Sequence, residues 1–181
     1  FVNSDFYRRA NFDLFMIDYR GYGKSTGQIE SEAQLRQDVR SAWAMVAPQY
    51  AGKRVVIYGR SLGSGLAAGL SVELAKRGAP NLTVLVSLYS SMAALSRDHY
   101  PWVPSLVLRY PMRTDQLVGS IDNPLLLIHG SEDSLIAPRH SDALKAVAPR
   151  AGLLRIAGAG HNDLQDFDAY RSGFADALSR L

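Results

Sequence analysis

The clearest indication of the fold comes from two consecutive segments, Lys53-Arg54-Val55-Val56-Ile57-Tyr58 and Gly59-Arg60-Ser61-Leu62-Gly63. The first six residues form a compact run rich in β-branched side chains, which is typical of a buried strand. From Leu62 onward, apolar residues recur at helical spacing up to Arg77. A serine between a strand and a helix requires a sharp turn, for which Gly59, Gly63 and Gly65 leave room. Such a turn presents the Ser61 hydroxyl at the carboxyl edge of a sheet, beside the free N–H groups of the next helix.

The rest of the chain alternates apolar runs with amphipathic segments, joined by short connections. This alternation predicts an α/β fold with a mostly parallel, doubly wound sheet. The predicted strands cover residues 14–18, 53–58, 82–88, 124–129 and 153–156. The predicted helices cover residues 31–46, 62–77, 139–147 and 163–178.

Residues 90–123 interrupt this pattern with prolines and large apolar side chains. We expect a short, cap-like insertion over the site within a single domain, residues 1–181. Tyr100, Trp102 and Val103 lie in this insertion and are candidates for the wall of a substrate pocket; packing within the cap is the alternative role.

The composition excludes several classes of site. The chain has 181 residues, a net charge of +3 and no cysteine, so disulfides, thiolate metal sites and cysteine nucleophiles are excluded. Its basic residues are scattered, which predicts no nucleic-acid partner. The longest apolar runs, such as Leu125–Ile128, are far too short to span a membrane.

A serine hydroxyl becomes nucleophilic when a base lies within hydrogen-bond reach. Functional groups in doubly wound sheets collect beyond the carboxyl ends of the strands. His161 follows the last predicted strand in a glycine-containing loop and is therefore the favoured base. His129 also ends a strand, where it can instead support the following turn. His99 and His140 lie in the insertion and in an outer helix, and are weaker candidates.

The carboxylate that orients this base is expected after the strand at residues 124–129. Asp133 and Glu132 both lie there, and Asp133 is favoured because its shorter side chain holds an imidazole more rigidly. Asp122 precedes the strand and lies at the opposite edge. The order Ser61, Asp133, His161 is the nucleophile–acid–base order expected for this type of fold.

The glycine-rich segment Asp18–Ser25 invites a phosphate-binding interpretation. It has neither G-x-G-x-x-G nor the lysine spacing of a P-loop, so we interpret it as a turn beside the site. Arg20 is expected to pair locally with a carboxylate, and Asp38 to be a solvated or capping charge.

Four ordered segments give the chain a specific resemblance: Asp18–Ser25, Gly59–Gly63, His129–Asp133 and Gly160–Asp163. With Pro101–Pro104, they resemble serine hydrolases of the α/β-hydrolase superfamily, most closely the ABHD13-like and BEM46-like proteins. The resemblance extends from about Asp13 to the end of the chain.

The resemblance also implies elements that the chain does not match. Relatives carry earlier strands, one of which lies between the strands at residues 14–18 and 53–58, so we expect N-terminal strands upstream of Phe1. Relatives also carry a His-Gly loop that supplies an oxyanion N–H. The Leu62 N–H supplies one oxyanion donor here, and the second has no match in the chain.

These observations together predict a serine hydrolase that cleaves carboxylic esters through Ser61, His161 and Asp133. The short apolar insertion favours a small-molecule acyl ester as substrate. The mechanism requires neither a metal nor an organic cofactor. Alternatives that stay open are an acyl-thioesterase, a serine peptidase and a non-catalytic, hydrolase-like binding module.

Overall fold

The computed structural model describes residues 4–76, 78–104, 106 and 108–181. Its centre is a four-stranded sheet in which all neighbouring strands are parallel, in the order β1-β2-β3-β4. The strands are β1 (Val56–Arg60), β2 (Leu82–Val86), β3 (Leu125–Gly130) and β4 (Gly152–Ile156). Their parallel order confirms the predicted α/β class, and it gathers all four carboxyl ends at one edge.

Six α-helices connect and flank these strands in the described residues. They are α1 (Ser4–Arg9), α2 (Glu32–Val46), α3 (Leu62–Leu74), α4 (Met92–His99), α5 (Arg139–Val147) and α6 (Asp168–Ser179). Single 3-10 turns cover Ala47–Tyr50, Thr114–Gln116, Val118–Ser120 and Leu164–Asp166. None of the helices in the described part of the chain has the length and apolarity needed to cross a membrane.

The period of two along each strand divides the core between the two faces of the sheet. Leu85 and Leu127 point to one face, where they belong to the same buried cluster as Leu70 of α3 and Leu144 of α5. The neighbouring strand residues point to the other face, into a cluster centred on Phe174 of α6. Helices therefore cover both faces, as a doubly wound sheet requires.

The predicted strand at residues 14–18 is wrong. This segment forms no strand, and Leu14, Phe15 and Met16 are 42%, 47% and 61% exposed. A cavity of about 940 Å³ lies between the segment and β1, which is an edge strand of the sheet. A β-strand forms by backbone hydrogen bonding to a neighbouring strand. Among the described residues, no strand lies between this segment and β1, because the cavity separates them.

Several predicted boundaries shift for local reasons. The last helix begins at Asp168 rather than at residue 163, because the Asp163 carboxylate accepts a hydrogen bond from the Gly160 N–H (2.7 Å) and a 3-10 turn follows. β1 begins at Val56 because the Val55 N–H donates to the Asn81 side chain (2.8 Å) instead of to a strand. Helix α3 ends at Leu74, and the predicted end at Arg77 lies outside the described residues.

The Asp18–Ser25 segment folds as turns held by its own first residue. The Lys24 N–H donates to the Asp18 carboxylate (3.0 Å), and the Ser25 hydroxyl donates to the Asp18 carbonyl oxygen (2.8 Å). Arg20 forms two hydrogen bonds of 2.6 Å to Asp38, so the expectation of a solvated or capping Asp38 is wrong. These hydrogen bonds hold the pKa of Asp38 below its ordinary value and fasten the turn to α2.

Candidate active site

Ser61 occupies the sharp turn between β1 and α3. Its backbone has φ 52° and ψ −123°, on the left-handed side that side chains rarely adopt. Its N–H donates to the Val86 carbonyl oxygen (2.9 Å), which continues the pairing of β1 with β2 by one residue. A Cβ at Gly59 would overlap the Gly63 carbonyl oxygen and lie 2.5 Å from the Ala67 Cβ. The close approach of strand and helix therefore requires glycine at this position.

His161 bridges Ser61 and Asp133. Its Nε2 lies 3.1 Å from the Ser61 Oγ, and its Nδ1 lies 2.8 Å from the Asp133 Oδ2. Because a carboxylate accepts hydrogen bonds, the proton of a neutral ring belongs on Nδ1. Nε2 is then free to accept the proton of the serine hydroxyl. The three loops brought together are separated by 28 residues and 100 residues in the sequence.

Asp133 is buried, whereas Glu132 is exposed to solvent. The Asp133 Oδ1 accepts the backbone N–H groups of Leu135 (3.0 Å) and Ile136 (2.8 Å), which leaves Oδ2 for His161. Burial by itself raises the pKa of Asp133, but hydrogen bonds from the neighbouring histidines and from Ile136 outweigh it and hold the pKa well below its ordinary value. The group that contacts the imidazole is therefore an ionised carboxylate.

His129 lies beneath this carboxylate, fully buried. Its Nε2 donates to the Ile136 carbonyl oxygen (2.8 Å) and lies 3.2 Å from the Asp133 Oδ2. These contacts join His129 to the turn at Asp133–Ile136, which is consistent with the supporting role expected as its alternative to a base.

Arg60 was missed by the sequence reasoning. Its guanidinium donates to the His161 carbonyl oxygen (2.5 Å) and to the Asn162 side chain (3.1 Å), so it ties the histidine loop to the end of β1. The Glu132 N–H donates to the Ala159 carbonyl oxygen (2.9 Å) and ties the same loop to the one that carries Asp133. The sequence offers one signal for this role of Arg60: it directly precedes Ser61 at the end of β1, where functional groups collect.

Leu62 is the first residue of α3. The N–H groups of a helix's first turn have no acceptor within the helix, and they carry the positive end of its dipole. The Leu62 N–H belongs to this first turn and directly follows Ser61 in the chain.

An apolar cavity of about 500 Å³ borders Leu62. Of the three predicted pocket residues, Tyr100 lines it. Trp102 and Val103 do not, and Trp102 is 74% exposed. The chain turns after α4 ends at His99, so the side chains that directly follow Tyr100 leave the cavity wall, and the chain returns to it at Leu108.

A second hydrogen-bonded series of serine, histidine and aspartate side chains lies between α4 and α5. The Ser90 hydroxyl lies 2.9 Å from the His140 Nδ1, and the His140 Nε2 lies 2.7 Å from the Asp98 Oδ2. Arg139 contacts the other oxygen of Asp98 at 2.6 Å. His140, expected in an outer helix, is 3% exposed and joins α5 to α4.

No group of three or more His, Asp or Glu side chains forms a candidate metal site in the part of the chain that the structure describes.

Comparison with known proteins identifies similar chains. The chain is 33% identical to an uncharacterized protein of Mycobacterium tuberculosis over 162 residues, covering 86% of this chain and 55% of the relative. It is 33% identical to α/β-hydrolase domain-containing protein 17B of Xenopus laevis over 169 residues, covering 90% and 54%. The chain thus spans about half the length of the curated relatives it matches.

Solved structures share the fold. An esterase of Pyrococcus furiosus superimposes with a TM-score of 0.72 at 22% identity, covering 97% of this chain and 74% of that one. A monoacylglycerol lipase of Paleococcus ferrophilus gives a TM-score of 0.67 at 17% identity, covering 97% and 85%. The family model that matches, Hydrolase_4, covers residues 5–114, more than half of the 181-residue chain. The chain is therefore an α/β hydrolase and belongs to the Hydrolase_4 family, described as "Serine aminopeptidase, S33".

Proposed function

We propose that this α/β hydrolase cleaves carboxylic esters, with Ser61 as nucleophile, His161 as general base and Asp133 as the carboxylate that orients it. The observation that carries the proposal is the continuous hydrogen-bond chain from the Ser61 Oγ through the His161 ring to the Asp133 carboxylate. This geometry is the one that activates a serine hydroxyl.

In the first half-reaction, the His161 Nε2 takes the Ser61 proton while the Oγ attacks the ester carbonyl carbon. Negative charge develops on the carbonyl oxygen, to which the Leu62 N–H donates a hydrogen bond. The protonated imidazole is stabilised by the ionised Asp133. It then gives its proton to the leaving alcohol, and the acyl group stays on Ser61.

In the second half-reaction, His161 takes a proton from water, which attacks the acyl-enzyme. Collapse of the second tetrahedral intermediate returns the proton to Ser61 and releases the carboxylic acid. These steps use side chains and backbone N–H groups and require no cofactor.

The substrate we propose is a small-molecule acyl ester. The apolar cavity beside Leu62 supports this proposal, as do the printed names of structural neighbours, an esterase and a monoacylglycerol lipase. The narrower placement among ABHD13-like and BEM46-like proteins is also a proposal, and it rests on the four sequence motifs.

A serine peptidase is the second candidate, because the description of the family model favours it. The same three side chains serve acyl transfer from an amide. An ester hydrolase requires no site for a free amino terminus, whereas an aminopeptidase does. Hydrolysis of aminoacyl p-nitroanilides in preference to p-nitrophenyl esters would support the peptidase.

The test is hydrolysis of p-nitrophenyl esters by the full-length protein, combined with labelling by a fluorophosphonate probe. We expect turnover and a label on Ser61, both lost in Ser61→Ala. Ser90→Ala is the matched control, because Ser90 also contacts a histidine, and it should retain both. A folded protein without turnover or label would overturn the proposal in favour of a binding module.

A further inference from the structure

The cavity beside Leu62 lies between α4 on one side and Leu108–Tyr110 with Met112 on the other. Most of its lining surface is apolar. The apolar side chains of this lining include Ile29, Leu35, Met92, Leu95, Leu108 and Met112. A lining of this composition favours hydrocarbon over any charged or strongly hydrated group.

The lining includes a cationic side chain, Arg109, whose guanidinium lies over the Tyr110 ring, 5.7 Å from its centroid. Two of the polar side chains in the lining are engaged in hydrogen bonds. The Tyr110 hydroxyl donates to the Ile29 carbonyl oxygen (2.9 Å), and the His99 Nε2 lies 2.7 Å from the Leu135 carbonyl oxygen. No aspartate or glutamate lines the cavity among the described residues. These lining residues therefore offer no carboxylate to pair with the amino terminus of a peptide.

We propose that this cavity binds the acyl chain of the substrate and that α4 is the wall that sets its length. The inference rests on the proposed function, because it places the ester carbonyl at Ser61 and the chain beyond Leu62. A methylene occupies on the order of 30 Å³, about the share of one water in the liquid. With loose filling, a cavity of about 500 Å³ accepts a chain of roughly eight to twelve carbons.

Helix α4 can set a length because both of its ends are fastened. At its start, the Met92 N–H donates to the Pro111 carbonyl oxygen (3.0 Å), and Ser91 caps the helix by accepting the Ala94 N–H (3.1 Å). At its end, Asp98 contacts Arg139 and His140 of α5. Helix α4 is thus anchored on α5, the helix that follows Asp133 in the chain.

The experiment measures kcat/KM for p-nitrophenyl esters from acetate to palmitate. In the unmodified protein we expect roughly a fourfold rise for each added methylene that enters the cavity, then a fall once the chain exceeds it. Met92→Trp narrows the cavity and should move the optimum several carbons shorter. Leu95→Ala enlarges it and should move the optimum longer.

Met45→Trp is the matched control, because Met45 is 66% exposed on α2 and lies outside the cavity lining. It should leave the profile unchanged. Ser61-dependent acetate hydrolysis in each variant shows that the site is folded and that the proposed function holds. If acetate is hydrolysed but neither cavity variant shifts the optimum, the chain binds elsewhere and this inference is overturned. If no ester is hydrolysed at all, the proposed function fails instead.

Competitive inhibition of acetate hydrolysis by decanoate gives a second readout. We expect its inhibition constant to rise at least tenfold in Met92→Trp and to stay unchanged in Met45→Trp. Equal inhibition constants in the two variants would contradict the assignment of the cavity.

Discussion

Two chains of serine, histidine and aspartate lie in this molecule, and their distances are nearly equal. The histidine–serine distances are 3.1 Å at Ser61 and 2.9 Å at Ser90. The histidine–aspartate distances are 2.8 Å at Asp133 and 2.7 Å at Asp98. Hydrogen-bond lengths therefore do not distinguish a candidate catalytic group from a fastening between helices.

The surroundings of the two chains do differ. The Ser90 N–H also donates to the His140 Nδ1 (3.2 Å), so a proton gained by that nitrogen would face another N–H. The base role is blocked there, whereas the His161 Nε2 faces the Ser61 hydroxyl. Asp98 is further neutralised by Arg139. The additional contacts of the histidine nitrogens and the carboxylate oxygens therefore decide which of the two serines can be activated.

The largest expected effect separates the two serines. Ser61→Ala and His161→Ala should each reduce kcat for ester hydrolysis by roughly 10,000-fold or more, because the nucleophile and its base act as a unit. Ser90→Ala should stay within about a factor of two. Steady-state kinetics on one ester measure all three. Near-normal turnover in either of the first two variants would remove that residue from the mechanism.

The next effect separates the carboxylates. Asp133→Asn should reduce kcat by roughly 1,000- to 10,000-fold, because an amide cannot stabilise the imidazolium or hold the required tautomer. Glu132→Gln should be close to normal, since that side chain is exposed. The circular dichroism spectra of both variants should match that of the unmodified protein, which shows that they are folded. A large loss in Glu132→Gln with an active Asp133→Asn would exchange the two roles.

Arg60 should show an intermediate effect as a positioning residue. Arg60→Met removes the hydrogen bonds to the His161 loop and should lower kcat on the order of 10- to 100-fold. We expect little change in KM and partial recovery in Arg60→Lys, which retains one donor. A rise in KM of roughly 10- to 100-fold with unchanged kcat would instead assign Arg60 to substrate binding.

The smallest effect concerns His140 and the stability of the fold. Burial lowers the pKa of His140, against an opposing contribution from Asp98, and the charged Arg139 and the ring of His129 also lower it. The unfolded chain therefore binds more protons below the ordinary histidine pKa of about 6.5, and the free energy of unfolding falls as pH decreases through that value. Above it, the contribution of the neutral ring is fully present.

Urea unfolding at pH 7.5, 6.5 and 5.5 measures this dependence. His140→Gln should be less stable at pH 7.5 by about 1–2 kcal/mol, through lost hydrogen bonds to a buried group, and it should depend less on pH. A pH slope as steep as that of the unmodified protein would show that His140 is not the titrating group.

Sequence reasoning reached the parts of the molecule that a local pattern encodes. The run before Gly59 predicts β1, and the rule that sites lie beyond strand ends selects His161 and Asp133 as candidates. Asp133 and Glu132 are adjacent in one loop, so their positions in the sequence do not show which of the two contacts His161. The structure does, because Asp133 is buried and Glu132 is exposed. The contacts of His140 with Ser90 and Asp98 span 50 and 42 residues, so no local pattern reports them. Residues 14–18 have strand composition, but pairing depends on a neighbour, which composition does not encode.

The backbone of Ser61 has a thermodynamic consequence. Holding a non-glycine residue at φ 52° costs roughly 1–3 kcal/mol, a noticeable share of the 5–15 kcal/mol that stabilises a typical domain. Ser61→Gly would relieve that cost, and we expect a protein that melts higher while it hydrolyses nothing. The turn at Ser61 is thus a position where selection for heat tolerance and selection for turnover favour different residues.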